Sequence, residues 1–443
     1  MRFSVGRDAL GEAVAFVSRA LPARPVVPLL SGMLLDAAGD RLTLSCFDYE
    51  VSARVKVEAE VAEPGTALVP GRLLAEITRS LPAGPAEFAA DADVVNLTCG
   101  RAEFGLVCLA AADCPVLPAS PEPVGQVDGA VLAAAIMQVA SAASRDDTLP
   151  MLTAICLDVA GRVLTLAATD RYRLAAREVP FDPAEPGIRA AALVPARIMV
   201  EAARAMTAGV PVTIAFGADS GAGGEGSPAG QQPRAAEGMV SFESGDRRLT
   251  ARLISGEFIR YRNRFGADFG CRADLPAGPV IEAVRRAALV AERAGPVRLS
   301  FRSDQVVIEA RAEGRARAAE TVPAEFLGDQ PVIAFNPQYL LDGLIAASAA
   351  ASGPPGQDSG GAGGDGGDGH GGADASQGTG HPATPAGGPA DAGRIRLEFT
   401  TPAKPALITC IDADGRQPVV EADGDAVPAF RYLLVPLRQP ERA

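Results

Sequence analysis

The chain has 443 residues, of which 48% are hydrophobic but only 5% are aromatic, and it contains no tryptophan. So few aromatic side chains argue against nucleic-acid binding by base stacking, and a net charge of −13 argues against a protein that binds DNA with its whole surface. The length predicts about three domain-sized modules, each large enough to bury its own core.

The cysteines, the N-terminal segment and the hydropathy pattern together predict a soluble, cytoplasmic protein. The seven cysteines include no CxxC pair and mostly lie within apolar runs, which is typical of buried thiols in a reducing compartment. The N-terminal segment carries charges where a signal peptide needs an apolar run. No stretch is long and apolar enough to predict a membrane-spanning helix.

Six helices are predicted from apolar residues at helical spacing, and in chain order they cover 8–21, 68–81, 129–144, 193–206, 279–293 and 335–348. The second and fourth begin with Leu-Val-Pro, and a proline is well suited to a first helical turn because its missing N–H has no partner there anyway. The buried stripe of the second helix is predicted to consist of Leu73, Leu74, Ile77 and Leu81.

An internal repeat relates the first two modules. Residues 28–57 align without a gap on residues 150–179 at an offset of 122, with twelve of the thirty positions identical. The following helices share a charge pattern, since Arg72, Glu76 and Arg79 recur as Arg197, Glu201 and Arg204. These arginines fit either a basic surface or a solvated face of alternating charge. The chain is therefore predicted to repeat one module.

Many short β-rich runs between the helices predict α+β modules, each with two helices packed on antiparallel sheets. We expect the modules to cover 1–124, 125–268 and 269–443. Two Gly-rich tracts, 217–236 and 352–393, contain too little apolar surface to offset the entropy of ordering. They are predicted to be disordered insertions that lengthen hairpin loops.

No catalytic or metal site is predicted. The only two histidines, His370 and His381, lie in the second Gly-rich tract, and neither lysine has a P-loop context. Carboxylates such as Asp48 and Asp170 could act as acid and base. We favour a turn role for them, because an aspartate at a strand end commonly accepts local N–H hydrogen bonds.

Several strings resemble the bacterial DNA polymerase III β subunit, the β sliding clamp family. They are RPVVPLLSGMLL (24–35), FDYEVSARV (47–55), RDDTLPML (145–152), ATDRYRLA (168–175), IAFNPQYLLDGL (333–344) and YLLVPLR (432–438). The resemblance covers nearly the whole chain. It implies three similar DNA-clamp domains per chain, and a homodimer of two chains that closes head to tail into a six-domain ring around duplex DNA.

The resemblance also implies which residues contact DNA. In this family helices line the ring, and their basic side chains face phosphates without reading bases, which would permit sliding. The candidate DNA-facing residues of this chain are Arg24, Arg72, Arg79, Arg197, Arg204, Arg285 and Arg286.

Partners of the family insert a short peptide, a Gln with hydrophobic residues, between the second and third domains. Carried over by position, this cleft comprises Leu152, Thr169, Arg171, Tyr172, Leu174, Ile259, Asn263, Arg264, Leu433, Val435, Pro436, Leu437 and Arg438. The family usually has Pro at the position of Ile259 and Met near Val435 and Leu437. Because Val and Leu repack less readily than Met, we expect this cleft to accept fewer partners.

The resemblance further implies a dimer interface in which Phe104 and Leu106 meet Val280 and Ile281 of the other chain. The predicted function is a sliding clamp without enzymatic activity or cofactors. It would tether the replicative polymerase and repair polymerases to DNA after placement by a clamp loader. The alternatives are a specialised clamp paralogue, with an altered cleft or unable to close a ring, and an enzyme that uses carboxylates between domains.

Overall fold

The structure is a computed structural model. It describes residues 1–91, 93–110, 117–118, 120–206, 209–217, 238–266, 269–292, 295–312, 314–351, 393–422 and 425–437. Nearly all of both Gly-rich tracts lies outside the described residues, so their predicted disorder stays a prediction. The first tract lies between two paired strands, Pro211–Phe216 and Met239–Ser244, as predicted for a hairpin loop. The second lies between a helix that ends at Ala351 and a strand that begins at Arg394, so the prediction that it lengthens a hairpin loop is wrong.

Six helices occur where the apolar periodicity predicts them. They are α1 (Arg7–Ser18), α2 (Gly71–Ser80), α3 (Gly129–Ala140), α4 (Ala196–Ala205), α5 (Ala277–Val290) and α6 (Pro337–Ala351). Two details of the prediction are wrong. Pro70 and Pro195 end strands and occupy the N-cap position, one residue before the helix starts. Leu73 is 45% exposed, whereas Leu74, Ile77 and Leu81 are buried.

The strands fall into three sets that alternate with the helices. Domain I contains β1 (Arg2–Gly6), β2 (Gly32–Ala38), β3 (Arg41–Phe47), β4 (Val51–Glu58), β5 (Glu60–Glu63), β6 (Gly65–Pro70), β7 (Pro85–Asp91), β8 (Val94–Cys99) and β9 (Ala102–Val107). Domain II contains β10 (Pro123–Asp128), β11 (Ala154–Ala160), β12 (Val163–Thr169), β13 (Arg173–Pro180), β14 (Asp182–Pro183), β15 (Arg189–Pro195), β16 (Pro211–Phe216), β17 (Met239–Ser244) and β18 (Arg247–Arg252).

Domain III contains the remaining strands. They are β19 (Cys271–Pro276), β20 (Val297–Phe301), β21 (Gln305–Ala312), β22 (Ala316–Pro323), β23 (Glu325–Leu327), β24 (Val332–Phe335), β25 (Arg394–Phe399), β26 (Ala406–Ile411), β27 (Val419–Ala422), β28 (Asp425–Pro428) and β29 (Phe430–Leu434). The exact boundaries between the three domains stay predictions.

Two sheets cross the junctions between domains. Domains I and II share a nine-stranded sheet of order β14-β10-β16-β17-β18-β4-β3-β2-β6, in which β18 pairs with β4. Domains II and III share a second nine-stranded sheet of order β15-β11-β12-β13-β29-β26-β25-β19-β23, in which β13 pairs with β29. Backbone hydrogen bonds therefore join neighbouring domains directly.

Each shared sheet combines five strands of one domain with four of its neighbour. The first and last domains each also have a set of strands that no other domain extends. Domain I has a five-stranded sheet of order β5-β1-β7-β8-β9, and domain III has a four-stranded sheet of order β22-β21-β20-β24. In the repeat, β9 holds the place of β18, and β22 holds the place of β4 and β13. These two strands are edges in the single chain.

The two helices of each domain pack on each other and on the sheets, and a large core extends through the three domains beside a smaller cluster that includes Tyr261 and Phe265. The buried stripes include Leu10 and Val14 of α1, and Leu340 and Leu344 of α6. Burial of these apolar side chains is the main stabilising contribution. Among the described helices, none has the length and hydrophobicity to span a bilayer.

Candidate functional site

A groove of about 720 Å³ lies between domains II and III. Ten of the thirteen predicted cleft residues line it: Leu152, Thr169, Arg171, Tyr172, Leu174, Ile259, Asn263, Arg264, Leu433 and Val435. Pro436 is buried and Leu437 is 36% exposed, and neither lines the groove. Arg438 lies outside the described residues. The three stretches that supply the ten residues are far apart in sequence and meet only in the fold.

One wall of the groove is the turn between β12 and β13. The Asp170 carboxylate accepts hydrogen bonds from the backbone N–H groups of Tyr172 and Arg173, both at 3.0 Å, and the Thr169 hydroxyl donates to the Arg173 carbonyl at 2.7 Å. Arg171 has a φ of 78°, a left-handed conformation that is uncommon for a residue with a side chain. The turn therefore projects Arg171 and Tyr172, and both side chains are exposed.

Domain I repeats this turn at the offset of 122 residues. Asp48 accepts from the N–H groups of Glu50 and Val51 at 3.0 and 2.7 Å, and Tyr49 has a φ of 72°. The prediction that Asp48 and Asp170 stabilise turns is confirmed. Their carboxylates are committed to local hydrogen bonds, as expected for a structural aspartate.

Arg173 connects the two domains behind this turn. Its guanidinium donates to Asp170 at 2.9 Å and to Asp342 of α6 at 2.6 Å, and it lies 4.2 Å from the centre of the Tyr339 ring. Burial alone would lower the pKa of Arg173, but Tyr432, Asp342 and Asp170 outweigh it and raise that pKa above its usual value. Arg173 is therefore a permanent cation in this network.

The segment between β18 and β19 forms the opposite wall, and two buried aromatic side chains anchor it. The Tyr261 hydroxyl donates to buried Asp158 at 2.7 Å, and the Arg431 guanidinium lies 4.5 Å from the centre of the Phe265 ring. Arg262 also donates to Asp158, at 2.9 Å. With the segment fixed at these points, Ile259, Asn263 and Arg264 line the groove.

The groove includes five residues that the sequence did not predict: Arg173, Phe269, Thr400, Lys404 and Pro405. Arg173 lies inside the string ATDRYRLA, which was a usable signal. Thr400, Lys404 and Pro405 belong to the turn between β25 and β26. No local pattern marks that turn, because its position beside the groove depends on the pairing of β26 with β29.

The candidate DNA-facing arginines are all exposed, but they differ in their partners. Three are ion-paired within the chain: Arg204 with Glu201, Arg285 with Glu282, and Arg286 with Glu320. In the described part of the chain, no ion pair involves the other four, Arg24, Arg72, Arg79 and Arg197. Their free charges make these four the stronger candidates for phosphate contacts.

The predicted dimer interface needs correction. Leu106 and Val280 are fully buried in their own domains, and Ile281 is 9% exposed, so these side chains offer almost no surface to a partner. Phe104 is half-buried. On the same edge strand, Val107 is 65% exposed. Alternation along β9 turns Leu106 inward, so its neighbour carries the exposed apolar surface.

Comparison with known proteins identifies the class of molecule. Three models of the DNA polymerase III beta subunit match in series: the N-terminal domain over residues 1–118, the central domain over 126–259 and the C-terminal domain over 271–350. The chain is 42% identical to the beta sliding clamp of Streptomyces coelicolor over 438 residues, which is 99% of both chains. It is 40% identical to that of Micrococcus luteus over 323 residues, 73% of this chain and 99% of the other.

A solved structure agrees. The DNA polymerase sliding clamp of Bacillus subtilis, 22% identical, superposes with a TM-score of 0.77 and covers 99% of this chain and 100% of its own. The fold is that of a three-domain DNA clamp. The chain belongs to the DNA polymerase III beta subunit family, the beta sliding clamps.

Membership defines the function as that of a DNA sliding clamp, a processivity factor that binds DNA and polymerase and catalyses no reaction. The full-length match to a beta sliding clamp favours this function over a specialised paralogue. The carboxylate enzyme is likewise not supported, since the family is non-catalytic.

Proposed function

We propose that two copies of this chain close head to tail into a ring around duplex DNA. The observation that carries the proposal is the division of the sheets. Both junctions within the chain join a five-strand set to a four-strand set, and the chain ends present one unshared set of each kind. Pairing β9 of one protomer with β22 of the other would complete a third nine-stranded sheet at each joint. Such a heterologous contact closes after two copies.

In this ring the groove between domains II and III is the docking site for short peptides of polymerases and of the clamp loader. The groove is open, its walls come from four segments of the chain, and it combines aliphatic side chains with exposed Tyr172. This composition suits a peptide with large apolar anchors. We further assign the protein to the cytoplasm, where replication takes place in bacteria.

Retention on DNA tests the ring. The protein would be placed on nicked circular DNA by a clamp loader, isolated by gel filtration, and half of the sample would then be linearised. A closed ring stays on the circle and slides off the linear ends. Equal retention on both forms would contradict encirclement.

An edge-strand variant tests the joint. Val107→Glu puts a charge on the open edge of β9, where charged side chains oppose strand pairing, and we expect native mass spectrometry to find mainly monomer. Leu327→Glu is the matched control, because Leu327 is 73% exposed on β23, the edge of a sheet already complete within the chain. An unchanged dimer in Val107→Glu would rule out the proposed pairing.

A further inference from the structure

The groove between domains II and III carries a charge opposite to that of the protein. The chain has a net charge of −13, yet the residues that line the groove include four cationic side chains, Arg171, Arg173, Arg264 and Lys404, and no aspartate or glutamate. Lys404 is one of only two lysines in the sequence. The groove is thus a local basic site on an acidic molecule.

The four cations differ in how far they are neutralised. Arg173 is paired with Asp170 and Asp342. Arg171 acts on Asp146, whose pKa is lowered first by hydrogen bonds from Thr148 and then by this charge. In the described part of the chain, no ion pair or side-chain hydrogen bond involves Arg264 or Lys404. These two side chains therefore supply charge to the groove that no partner in the described part of the chain neutralises.

Both side chains stand on backbone that is held in place. Arg264 ends a short helical turn, Arg262–Arg264, and its N–H donates to the Tyr261 carbonyl at 2.9 Å. The preceding cation of that turn, Arg262, is bound to Asp158, whereas Arg264 lines the groove and has no ion-pair partner among the described residues. The Lys404 N–H donates to the Thr401 carbonyl at 3.1 Å in a turn bounded by Pro402 and Pro405. A fixed backbone reduces the entropy lost when a ligand binds.

The rest of the groove indicates a peptide as the occupant. Its remaining walls are mostly apolar, with Leu152, Leu174, Ile259, Leu433 and Val435, and only two of the lining residues, Tyr172 and Phe269, are aromatic. Single-stranded nucleic acid is bound instead on aromatic platforms in continuous basic grooves. A peptide supplies both apolar anchors and discrete charges, which matches the lining.

We propose that Arg264 and Lys404 select partner peptides that carry acidic residues beside their hydrophobic anchors. This inference rests on the proposed function of the groove. At long range, the net negative charge of the protein repels an acidic peptide. Within about one Debye length of the groove, about 8–10 Å in physiological salt, the local cations attract it instead. Charge complementarity of this kind sets partner preference and association rate.

Fluorescence anisotropy with two labelled synthetic peptides tests the proposal. Both contain a glutamine and a Leu-Phe anchor; one has two flanking glutamates, and the other has glutamines at those positions. On the full chain we expect the acidic peptide to bind about tenfold more tightly in about 50 mM salt, with the preference falling to about twofold in about 500 mM salt.

The double variant Arg264→Gln, Lys404→Gln should lose this preference, because it weakens binding of the acidic peptide more than binding of the neutral peptide. Arg101→Gln, in an exposed turn of domain I, is the control and should keep the preference. Equal affinities of the two peptides for the unmodified chain, or a preference that survives in the double variant, would overturn the proposed charge selection but not the peptide groove. Failure of both peptides to bind, or their displacement by a thymidine decanucleotide, would overturn the peptide groove itself.

Discussion

Arg173 of β13 and Asp342 of α6 form an ion pair of 2.6 Å that joins domain II to domain III beside the groove. Both side chains are largely buried, with 10% and 20% of their side-chain surface exposed. The pair therefore lies where loss of one partner leaves a charge that water solvates poorly.

Removal of Arg173 should destabilise this junction. In Arg173→Met the aliphatic volume is kept, but Asp170 and Asp342 lose their common cation, and we expect a loss of about 3 kcal/mol in the free energy of unfolding. Urea denaturation followed by circular dichroism measures it. Arg311→Met is the control, because Arg311 is 53% exposed and its ion pair with Glu309 is long, at 3.8 Å. The free energy of unfolding of this control should change by less than about 0.5 kcal/mol. Similar changes in both variants would contradict the role of the pair.

Two glycines in helices should respond in opposite ways to alanine. A Cβ at Gly343 of α6 would lie 2.6 Å from the ring of Tyr432, so Gly343→Ala should cost about 1–3 kcal/mol of stability. Gly11 of α1 has no atom within 4 Å of the same position, so Gly11→Ala should add about 0.5–1 kcal/mol through helix propensity. Thermal denaturation of both variants provides the comparison. Stabilisation of the Gly343 variant would refute the close approach of Tyr432.

The salt dependence of DNA binding should distinguish free from paired arginines. Arg197→Gln removes a charge without an ion pair among the described residues, so the slope of log K against log salt should fall by about 0.9. Arg286→Gln removes a charge that Glu320 already neutralises through two hydrogen bonds of 2.7 Å, and its slope should change by less than half as much. Binding to short linear duplex by anisotropy provides both slopes. Equal slopes for the two variants would argue against the assignment of Arg197 to the DNA surface.

The buried pair of Asp274 and Arg396 should make stability depend on acid. Burial alone would raise the pKa of Asp274, but hydrogen bonds from Arg396 and Arg272 lower it below its ordinary value near 3.8. The stability that this pair contributes is therefore present above about pH 4 and is lost as pH falls through the lowered pKa. Asp274→Asn should be less stable than the unmodified chain at neutral pH, and it should lose less stability than the unmodified chain on acidification.

Melting temperatures of Asp274→Asn at a series of pH values between about 7 and about 3 measure this difference. The control is Asp8→Asn, because the side chain of Asp8 is 89% exposed and should leave the pH profile unchanged. A profile for Asp274→Asn that parallels that of the unmodified chain would exclude the mechanism.

The features that the sequence predicts best are those set by local chemistry. Helix positions follow from apolar spacing, and the turn roles of Asp48 and Asp170 follow from the hydrogen-bonding capacity of an aspartate at a strand end. The local signal is weakest at boundaries, where Leu-Val-Pro reads as helix although its proline ends a strand. Strand alternation likewise does not show which of the two faces of β9 is buried, because that depends on how the strand pairs in its sheet.

The candidate site is predictable only in part for the same reason. Most of the groove was found through resemblance, since its residues come from three distant stretches of the chain. Lys404 and Thr400 were missed because a turn has no sequence pattern that shows which groove it borders. The pairing of Arg173 with Asp342 spans 169 residues, and only the tertiary fold brings the two together.

The division of the sheets also determines where such a ring can open. The ring would contain three kinds of joint: between domains I and II, between domains II and III, and between the two protomers. The first two are covalently bridged by the chain, so the paired strands stay at a high effective concentration however dilute the protein is. The proposed joint between β9 and β22 would have no such tether, and its occupancy would depend on protein concentration. Dilution, or a loader that pulls on one edge strand, would thus part the ring at that seam and leave the four internal seams intact.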